Sequence, residues 1–381
     1  MSFDVVTHSE VRRLAQSLDK GMGLQLRSRS IWKGEERFVP GIRVGGESPY
    51  RMQKKLSPDI YLEQICHTGE VYAGIPIGGN YLYTSTDLKT WTNRSSATQI
   101  SKIITVGKSL MMIWGGGNLL NSSYLSHSTD NGLSWPTVLN GTSYLNALCG
   151  AGIYGFAFIT SIASYCYLVN QSGTSEYITL PESQYWRHAF HNGLRYVLMD
   201  ASCERIYTSN NGKSNWEFVT GLSESQSQAP SNFGNAAVRQ PYLLNGRLII
   251  IDVAAGSIST QISDDGVNWR TGAIGTLFGE NIHIVEIGKN AAAYNGALYL
   301  SARIINGING ESGRFSLLET RDGIRFRLLP SFYLARTTAV EAPPGVFSKN
   351  DGTGLIFNSS SNTNGARYEI APDAKEIYYA L

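Results

Sequence analysis

Short apolar runs alternate with polar turns along most of the chain, and no helical periodicity accompanies them. Typical runs are SLMMIW, LRYVLM, RLIIID and ALYLSA, which begin at residues 109, 194, 247 and 297. An Asn-Gly pair precedes three of them, at residues 192–193, 245–246 and 295–296. Such a pair is typical of a two-residue β-hairpin turn, because both residues tolerate positive φ. The pattern therefore predicts an all-β fold built from short hairpins.

One kind of polar turn recurs between these runs. It has Ser or Thr first, Asp or Asn two positions later, usually Gly next, and an aromatic residue at the end. We call its five copies the polar turns; their key residues are Asp87 and Trp91, then Asp130, Gly132 and Trp135, then Asn211, Gly212 and Trp216, then Asp265, Gly266 and Trp269, and finally Asp322, Gly323 and Phe326. The closing aromatics are 44, 81, 53 and 57 residues apart.

Two weaker copies complete the repeat. YLVNQSGTSEY at residues 167–177 lies midway through the longest spacing, and a second degenerate copy surrounds Asp373. Repeats of about 40 to 55 residues are typical of propeller blades. The sequence thus predicts a β-propeller of about seven four-stranded blades over residues 56–381, with six as the alternative if one unit completes another.

The residue types of the polar turn suit a structural role. The Asp or Asn side chain accepts hydrogen bonds from backbone N–H groups of its own turn, and Gly adopts positive φ without steric cost. The closing aromatic can pack between neighbouring sheets. We therefore predict that these acids are scaffolding. Calcium binding at Asp264 and Asp265 is not favoured, because no run of alternating oxygen ligands surrounds them.

The polar turns resemble the Asp-box, or BNR, repeat of sialidases and other β-propellers. That resemblance covers most of residues 57–381 and implies that the boxes lie at the blade periphery, away from a central pocket. It also implies candidate catalytic residues in the sialidase order. Glu280 or Glu286 corresponds to the activating glutamate, Arg303 and Arg367 to members of the arginine clamp, and Asp59 to the acid.

The sialidase pattern is incomplete in this sequence. The first clamp arginine is expected in a Phe/Tyr-Arg-Ile/Val-Pro stretch, whereas residues 37–40 read RFVP, with an additional residue between Arg37 and Pro40. Tyr378 and Tyr379 follow Arg367 by only 11 and 12 residues, and no later tyrosine follows. Because hydrolysis needs a nucleophile in reach of its base, the sequence favours binding over cleavage.

Two other groups of reactive side chains do not form a recognisable site. His188 and His191 lie three apart in a predicted strand, where they face opposite sides and cannot easily share a metal ion. The four cysteines, Cys66, Cys149, Cys166 and Cys203, lack ligand-like spacing, and we expect free thiols. We predict neither a metal site nor a cofactor.

Residues 1–55 differ from the rest of the chain. They carry 11 Lys or Arg against 6 Asp or Glu, and the remainder carries 21 against 24. Thr7 and Glu10 form a capping box that predicts one helix over residues 8–20. RFVPGIRV, at residues 37–44, is a candidate strand for closing the ring. We expect this segment to be a basic lead-in or an arm that attaches the propeller to other proteins of a particle.

Composition narrows the class of protein. Charged residues make up only 16% of the 381, while 40 are Gly and 21 are Tyr. A surface of uncharged polar side chains suits proteins that meet sugars or other surfaces. A net charge of +2 does not favour nucleic-acid binding. No apolar stretch suits a signal peptide or a membrane span.

These features predict a non-catalytic receptor-binding propeller of a phage tail. It would be made in the host cytoplasm, reside on the virion and bind a host surface glycan or protein. The alternatives are a sialidase-like glycoside hydrolase, or a degenerate relative of one, and a structural propeller that recognises a protein partner only.

Overall fold

The computed structural model describes residues 24–26, 42–44, 51–55, 62–76, 81–88, 90–94, 99–115, 123–143, 145–159, 163–219, 236–237, 239–254, 257–275, 282–294, 296–306, 314–328, 345–348, 355–358 and 367–371. These residues form 31 β-strands, and the described part of the chain contains no helix. The helix predicted over residues 8–20 lies outside the described residues. Within them, therefore, no helix has the length and apolarity needed to cross a membrane.

The strands form sheets in which consecutive strands pair antiparallel, and we refer to the larger sheets as blades. The first blade contains β4–β7, at Leu62–His67, Tyr72–Pro76, Tyr83–Ser85 and Thr92–Asn93. The second contains β8–β11, at Ile100–Val106, Ser109–Trp114, Ser123–Ser128 and Thr137–Ser143. The third contains β12–β15, at Leu145–Ala151, Tyr154–Ile159, Ala163–Asn170 and Ser175–Gln184. The fourth contains β16–β19, at Trp186–His191, Tyr196–Asp200, Ile206–Ser209 and Glu217–Phe218.

Three further blades complete the set. The fifth blade contains β21–β24, at Arg239–Leu244, Arg247–Ala254, Ser257–Ser263 and Arg270–Gly275. The sixth contains β25–β28, at Ile282–Tyr294, Ala297–Asn306, Arg314–Thr320 and Phe326–Leu328, and gains a fifth strand, β20 at Ala236–Ala237, beside β25. The seventh contains β29–β31, at Gly345–Ser348, Leu355–Asn358 and Arg367–Ala371, followed by β3 at Arg51–Lys55.

The blades are arranged in a ring. First strands of most successive blades contact each other, and β29 of the last blade contacts β4 of the first. The predicted all-β propeller is therefore confirmed. Among the described strands, six sheets are four-stranded blades and the five-stranded sheet stands beside them in the ring. The blade number had been left between six and seven by the sequence.

The ring closes through a strand other than the one proposed from the sequence. Residues 42–44 of RFVPGIRV form β2, which pairs with β1 (Leu24–Leu26) in a separate two-stranded sheet. Instead, β3 pairs with β31 over five residues as the outer strand of the last blade. Residues 51–55, which the sequence had assigned to the N-terminal segment, thus belong to the ring. The physical reason is the unpaired edge of β31, which an N-terminal strand covers.

Most blades bury both of their faces against a neighbour. In β22, Leu248 and Ile250 join the apolar cluster shared with the fourth blade. The alternate residues Ile249 and Ile251 join the cluster shared with the sixth blade. All four are fully buried. Because adjacent side chains of a strand face opposite sides of its sheet, a blade between two neighbours requires an uninterrupted apolar run. This explains why the runs in the sequence are continuous rather than alternating.

The hairpins predicted at the Asn-Gly pairs are present. Asn245 has φ 49° and Gly246 has φ 84°, which is the conformation of a type I′ turn between β21 and β22. At Asn192 the side-chain oxygen accepts the N–H groups of Leu194 at 3.0 Å and Arg195 at 2.8 Å. The local sequence therefore fixes the register of these first and second strands.

Ring closure by β3 generates a prediction for a shortened protein. A variant that begins at Ser57 lacks the outer strand of the last blade, so it loses one ladder of hydrogen bonds and exposes the edge of β31. We expect its free energy of unfolding to fall by roughly 2–5 kcal/mol, measured by urea denaturation, with increased aggregation. A variant that begins at Glu47 retains β3 and serves as the control. Equal stability of the two variants would contradict closure by β3.

Candidate functional site

The polar turns share one hydrogen-bonding arrangement, seen most completely at Asp265. One of its carboxylate oxygens accepts the backbone N–H groups of Val267 and Asn268, at 2.8 and 2.7 Å. The Ser263 hydroxyl donates to the same oxygen at 3.1 Å and accepts the Gly266 N–H at 2.8 Å. Trp269 donates its indole N–H to the Gly266 carbonyl at 3.2 Å. The carboxylate is therefore engaged by its own turn.

The same arrangement recurs in the other blades. Asp130 accepts the Leu133 and Ser134 N–H groups at 3.1 and 2.9 Å. Asp322 accepts two backbone N–H groups at 2.8 Å each. The remaining acceptors of backbone N–H groups are Asp87 and Asn211. Each turn joins the third and fourth strands of its blade, and the first strands line the ring. These acids are therefore peripheral.

Two turns depart from the pattern in an informative way. In the first blade Leu88 takes the position that Gly has elsewhere and adopts φ 62°. In the fourth blade an additional residue, Asn215 at φ 54°, separates Gly212 from Trp216. The buried indole N–H of Trp216 then finds no acceptor among the described residues, unlike those of the tryptophans that follow their turn glycine by three. The spacing between Gly and Trp thus decides whether this hydrogen bond forms.

Electrostatics agree with a turn-stabilising carboxylate. Desolvation by itself raises the pKa of Asp265, but the hydrogen bonds from Asn268, Val267 and Ser263 outweigh it and lower the pKa to about 2. Asp130 behaves in the same way, with a pKa lowered to about 2 by Ser134, Ser128 and Leu133 against the effect of desolvation. Both groups are therefore ionised at neutral pH and poorly suited to donate a proton.

The sialidase-like candidates are only partly brought together. Glu286 on β25 and Arg303 on β26 are direct cross-strand partners, and their side chains form an ion pair at 3.2 Å. Their side chains are 17% and 22% exposed. Arg367 lies on β31, in the next blade, where its backbone pairs with Lys55 and Asn358. Glu280 and Asp59 lie outside the described residues, as do Tyr378 and Tyr379. The described geometry thus assembles one pair rather than a clamp.

A second ion pair was not anticipated from the sequence. Arg239 on β21 and Asp252 on β22 are cross-strand partners with 3.4 Å between the guanidinium and the carboxylate, and their side chains are only 6% and 7% exposed. Arg239 also donates to the backbone carbonyl of Cys203, in the fourth blade, at 3.4 Å. The sequence signal was Asp252 at the end of the apolar run RLIIID. Its contacts join two blades, which gives the pair a structural setting.

The histidines and cysteines form no common centre. His191 packs on Tyr196 with 4.5 Å between ring centroids, and His188 lies two strand positions beyond Trp186 on β16. Among the described residues no three His, Cys, Asp or Glu side chains are grouped as metal ligands. All four cysteines are free thiols, as expected; Cys166 and Cys203 are buried, and Cys66 and Cys149 are partly buried. Burial raises the pKa of Cys66 to about 12, which makes it a poor nucleophile.

A group of three tyrosines on the third blade was also missed as a site. Tyr165 and Tyr167 on β14 and Tyr177 on β15 have ring centroids between 4.6 and 6.4 Å apart. Tyr177 is 59% exposed. The signals in the sequence were the high tyrosine content and the i, i+2 spacing of Tyr165 and Tyr167. Pairing with the neighbouring strand, which brings Tyr177 to them, could not be deduced from that spacing.

The comparisons with known proteins report the fold. No protein-family model and no curated protein matches the sequence. Among solved structures, YCF48 bound to D1 peptide is 14% identical over 85% of this chain and 96% of its own, with a TM-score of 0.53. Virginiamycin B lyase from Staphylococcus aureus is 10% identical over 84% and 98%, with a TM-score of 0.54.

A third similar structure extends the functional range of these neighbours. Oligogalacturonate lyase in complex with manganese is 12% identical over 85% of this chain and 96% of its own, with a TM-score of 0.52. The similar structures thus include enzymes and a propeller bound to a peptide. At these identities the similarity establishes a β-propeller fold and does not choose between catalysis and binding.

The hydrogen bonds of the polar turns predict the effect of removing one acid. Asp265→Ala should lower the free energy of unfolding by about 1–3 kcal/mol at pH 7, because two backbone N–H groups lose their acceptor. The loss should shrink as the pH falls from about 4 towards 2. The reason is that the folded-state pKa of Asp265 is about 2 and the unfolded value is about 3.9, so its stabilisation is present above pH 4 and disappears as the carboxylate is protonated.

The adjacent residue Asp264 provides the matched control. Its side chain is 58% exposed and pairs with Arg247 and Arg270 at the surface. Asp264→Ala should therefore cost no more than about 1 kcal/mol. Both variants are compared with the unaltered protein by urea denaturation at several pH values. An equal cost for the two substitutions, or a cost at Asp265 that persists at pH 2, would show that the turn does not depend on the ionised Asp265.

Proposed function

We propose that this chain is a non-catalytic propeller of the Asp-box type that binds a host surface glycan or protein on behalf of a phage particle. The observation that carries the proposal is the ion pair between Arg303 and Glu286. An arginine that recognises a substrate carboxylate must present its guanidinium to the ligand. Arg303 instead pairs with a carboxylate of its own blade, and that carboxylate is one of the two candidate activators.

The pairing weakens both halves of the hydrolytic alternative. A partly buried ion pair loses stability when either partner is removed, because the other charge remains without compensation. A substrate that displaced Glu286 from Arg303 would incur this cost before any chemistry. In addition, a glutamate bonded to arginine has less tendency to accept a proton from a nucleophile. The geometry therefore favours a structural role for this pair over a sialidase-like one.

Other features support binding at a surface. The chain combines few charged residues with 21 tyrosines, and large tyrosine side chains are well suited to contact a partner at low entropic cost. One similar structure is a propeller bound to a peptide, so a protein receptor is compatible with this fold. The sialidase-like hydrolase and a purely structural propeller are the other outcomes that the experiments below distinguish.

The virion assignment has its own test. We expect antibody against this chain to label the tail or host-facing end of phage particles in immunogold electron microscopy. Residues 1–55 would then contribute the attachment to other tail proteins, except for β3, which belongs to the ring. Labelling of infected-cell cytoplasm alone, with unlabelled purified particles, would contradict a virion protein and favour a propeller with an intracellular partner.

The distinction between binding and cleavage can be measured directly. We expect no turnover of a fluorogenic sialoside above a buffer blank, because the described candidates form an ion pair rather than a catalytic set. Arg303→Ala and Glu286→Ala should leave this baseline unchanged while lowering stability. Turnover by the unaltered protein that both substitutions abolish would establish the hydrolase instead, provided that circular dichroism shows both variants to be folded.

A further inference from the structure

We infer that the three tyrosines of the third blade form a binding platform for the face of an uncharged pyranose sugar. We call Tyr165, Tyr167 and Tyr177 the tyrosine platform. The inference rests on the proposed binding function and deepens it, since it assigns the ligand class and the place on the propeller. This place is the rim between the second and third blades, two to three strands away from the ring axis and from the Glu286–Arg303 pair.

The three rings are held in a defined geometry. Tyr177 stacks on Tyr165, with centroids 4.6 Å apart and an interplanar angle of 28°. Tyr167 meets Tyr177 edge-on, at 6.0 Å and 79°. Tyr165 and Tyr167 also pack against the apolar cluster between the second and third blades. One face of Tyr177 therefore rests on a supported ring, while much of the side chain remains in solvent, so little side-chain entropy is left to lose on binding.

The strand register places the platform on one uncharged face. Tyr167 pairs with Tyr177, and Tyr165 pairs with Thr179. Ser175 pairs with Val169 on the same face. The neighbouring acid Glu176 pairs with Leu168 and belongs to the opposite face, where it forms an ion pair with Lys213 of the fourth blade. No charged residue therefore takes part in these three strand pairs.

This combination of groups matches the chemistry of a neutral sugar. A pyranose has an apolar face of C–H groups and a rim of hydroxyls, and tyrosine offers an apolar ring with a polar hydroxyl at its edge. The proximity of Tyr165 and Tyr167, in addition to desolvation, raises the pKa of Tyr177, so its hydroxyl remains a donor at neutral pH. An anionic sugar would require a cationic partner, and the paired residues of this face contain none. We therefore assign neutral rather than sialylated glycans to the platform.

The exposed edge of the blade leaves room for such a ligand. β15 has ten residues and is the outermost strand of its sheet. Pro181 and a register shift between the Ala163 and Tyr165 pairings interrupt its far half. This interruption disfavours the addition of another strand there, because proline lacks an N–H donor. The uninterrupted half, which carries Tyr177, presents its side chains to solvent.

The test compares matched variants on immobilised oligosaccharides. The unaltered protein should bind glycans that end in neutral hexoses on an array that also contains sialylated glycans. Tyr177→Ala should weaken that binding by at least about tenfold, equivalent to about 1.4 kcal/mol. Tyr177→Phe, which keeps the ring, should remain within about threefold. Tyr185→Ala, which removes a tyrosine of similar exposure at 52%, should have no effect.

The controls separate folding from recognition. Melting temperatures should be unchanged for the variants at Tyr177, because most of its side chain is in solvent. If Tyr177→Ala does not fold, Thr179→Arg places bulk and charge beside the platform at another exposed position, and it should abolish binding of neutral glycans while leaving the melting temperature unchanged.

The contrary outcomes differ for the two proposals. Binding of neutral or sialylated glycans that Tyr177→Ala and Thr179→Arg leave unchanged overturns the platform, while the attachment function stands. Binding to intact bacterial cells without binding to any glycan overturns the platform and favours a protein receptor. If the unaltered protein binds neither glycans nor cells from a broad panel, both proposals fail.

Discussion

The burial of both faces of each blade is the constraint on which the rest of this structure depends. A strand between two neighbouring blades must offer apolar side chains in both directions, as Ile249 and Ile250 do on opposite sides of β22. Full burial of each such side chain contributes about 1.5–3 kcal/mol. An isolated blade would expose both faces, so stability requires neighbours on each side, and a closed ring is the arrangement in which every blade has two of them.

The polar turns connect this packing to the periphery. Gly266 of the fifth blade lies close to Val197 of the fourth, and an added Cβ there would approach the valine to 2.9 Å. The turn therefore needs glycine for two reasons, its φ of 82° and the closeness of the next blade. Leu88 shows that the first reason can be overcome, although a non-glycine residue at positive φ costs roughly 1–2 kcal/mol. The carboxylates support the turn and leave chemistry to other parts of the ring.

The ion pairs and the tyrosine platform occupy different parts of the fold, and this separation shapes the functional proposal. Arg239–Asp252 and Arg303–Glu286 lie between the first and second strands of their blades, close to the ring interior. Each pair has both charges compensated, which suits a structural element better than a substrate clamp. The platform lies at the rim, where its outer ring is exposed and its inner rings are supported. Binding at the rim needs no rearrangement of the ring.

The sequence alone determined the β-propeller, because its information is local: continuous apolar runs, Asn-Gly turns and a recurring polar turn each depend on neighbouring residues. It could not determine which distant segments pair. β3 completes the last blade across more than three hundred residues, and Asn-Gly chemistry says nothing about such pairing. The candidate site divided in the same way, since Arg303 and Glu286 were both singled out, but only the register of β25 and β26 showed that they neutralise each other. Tyr177 likewise joins Tyr165 and Tyr167 through strand register, so only the tertiary structure could assemble the platform.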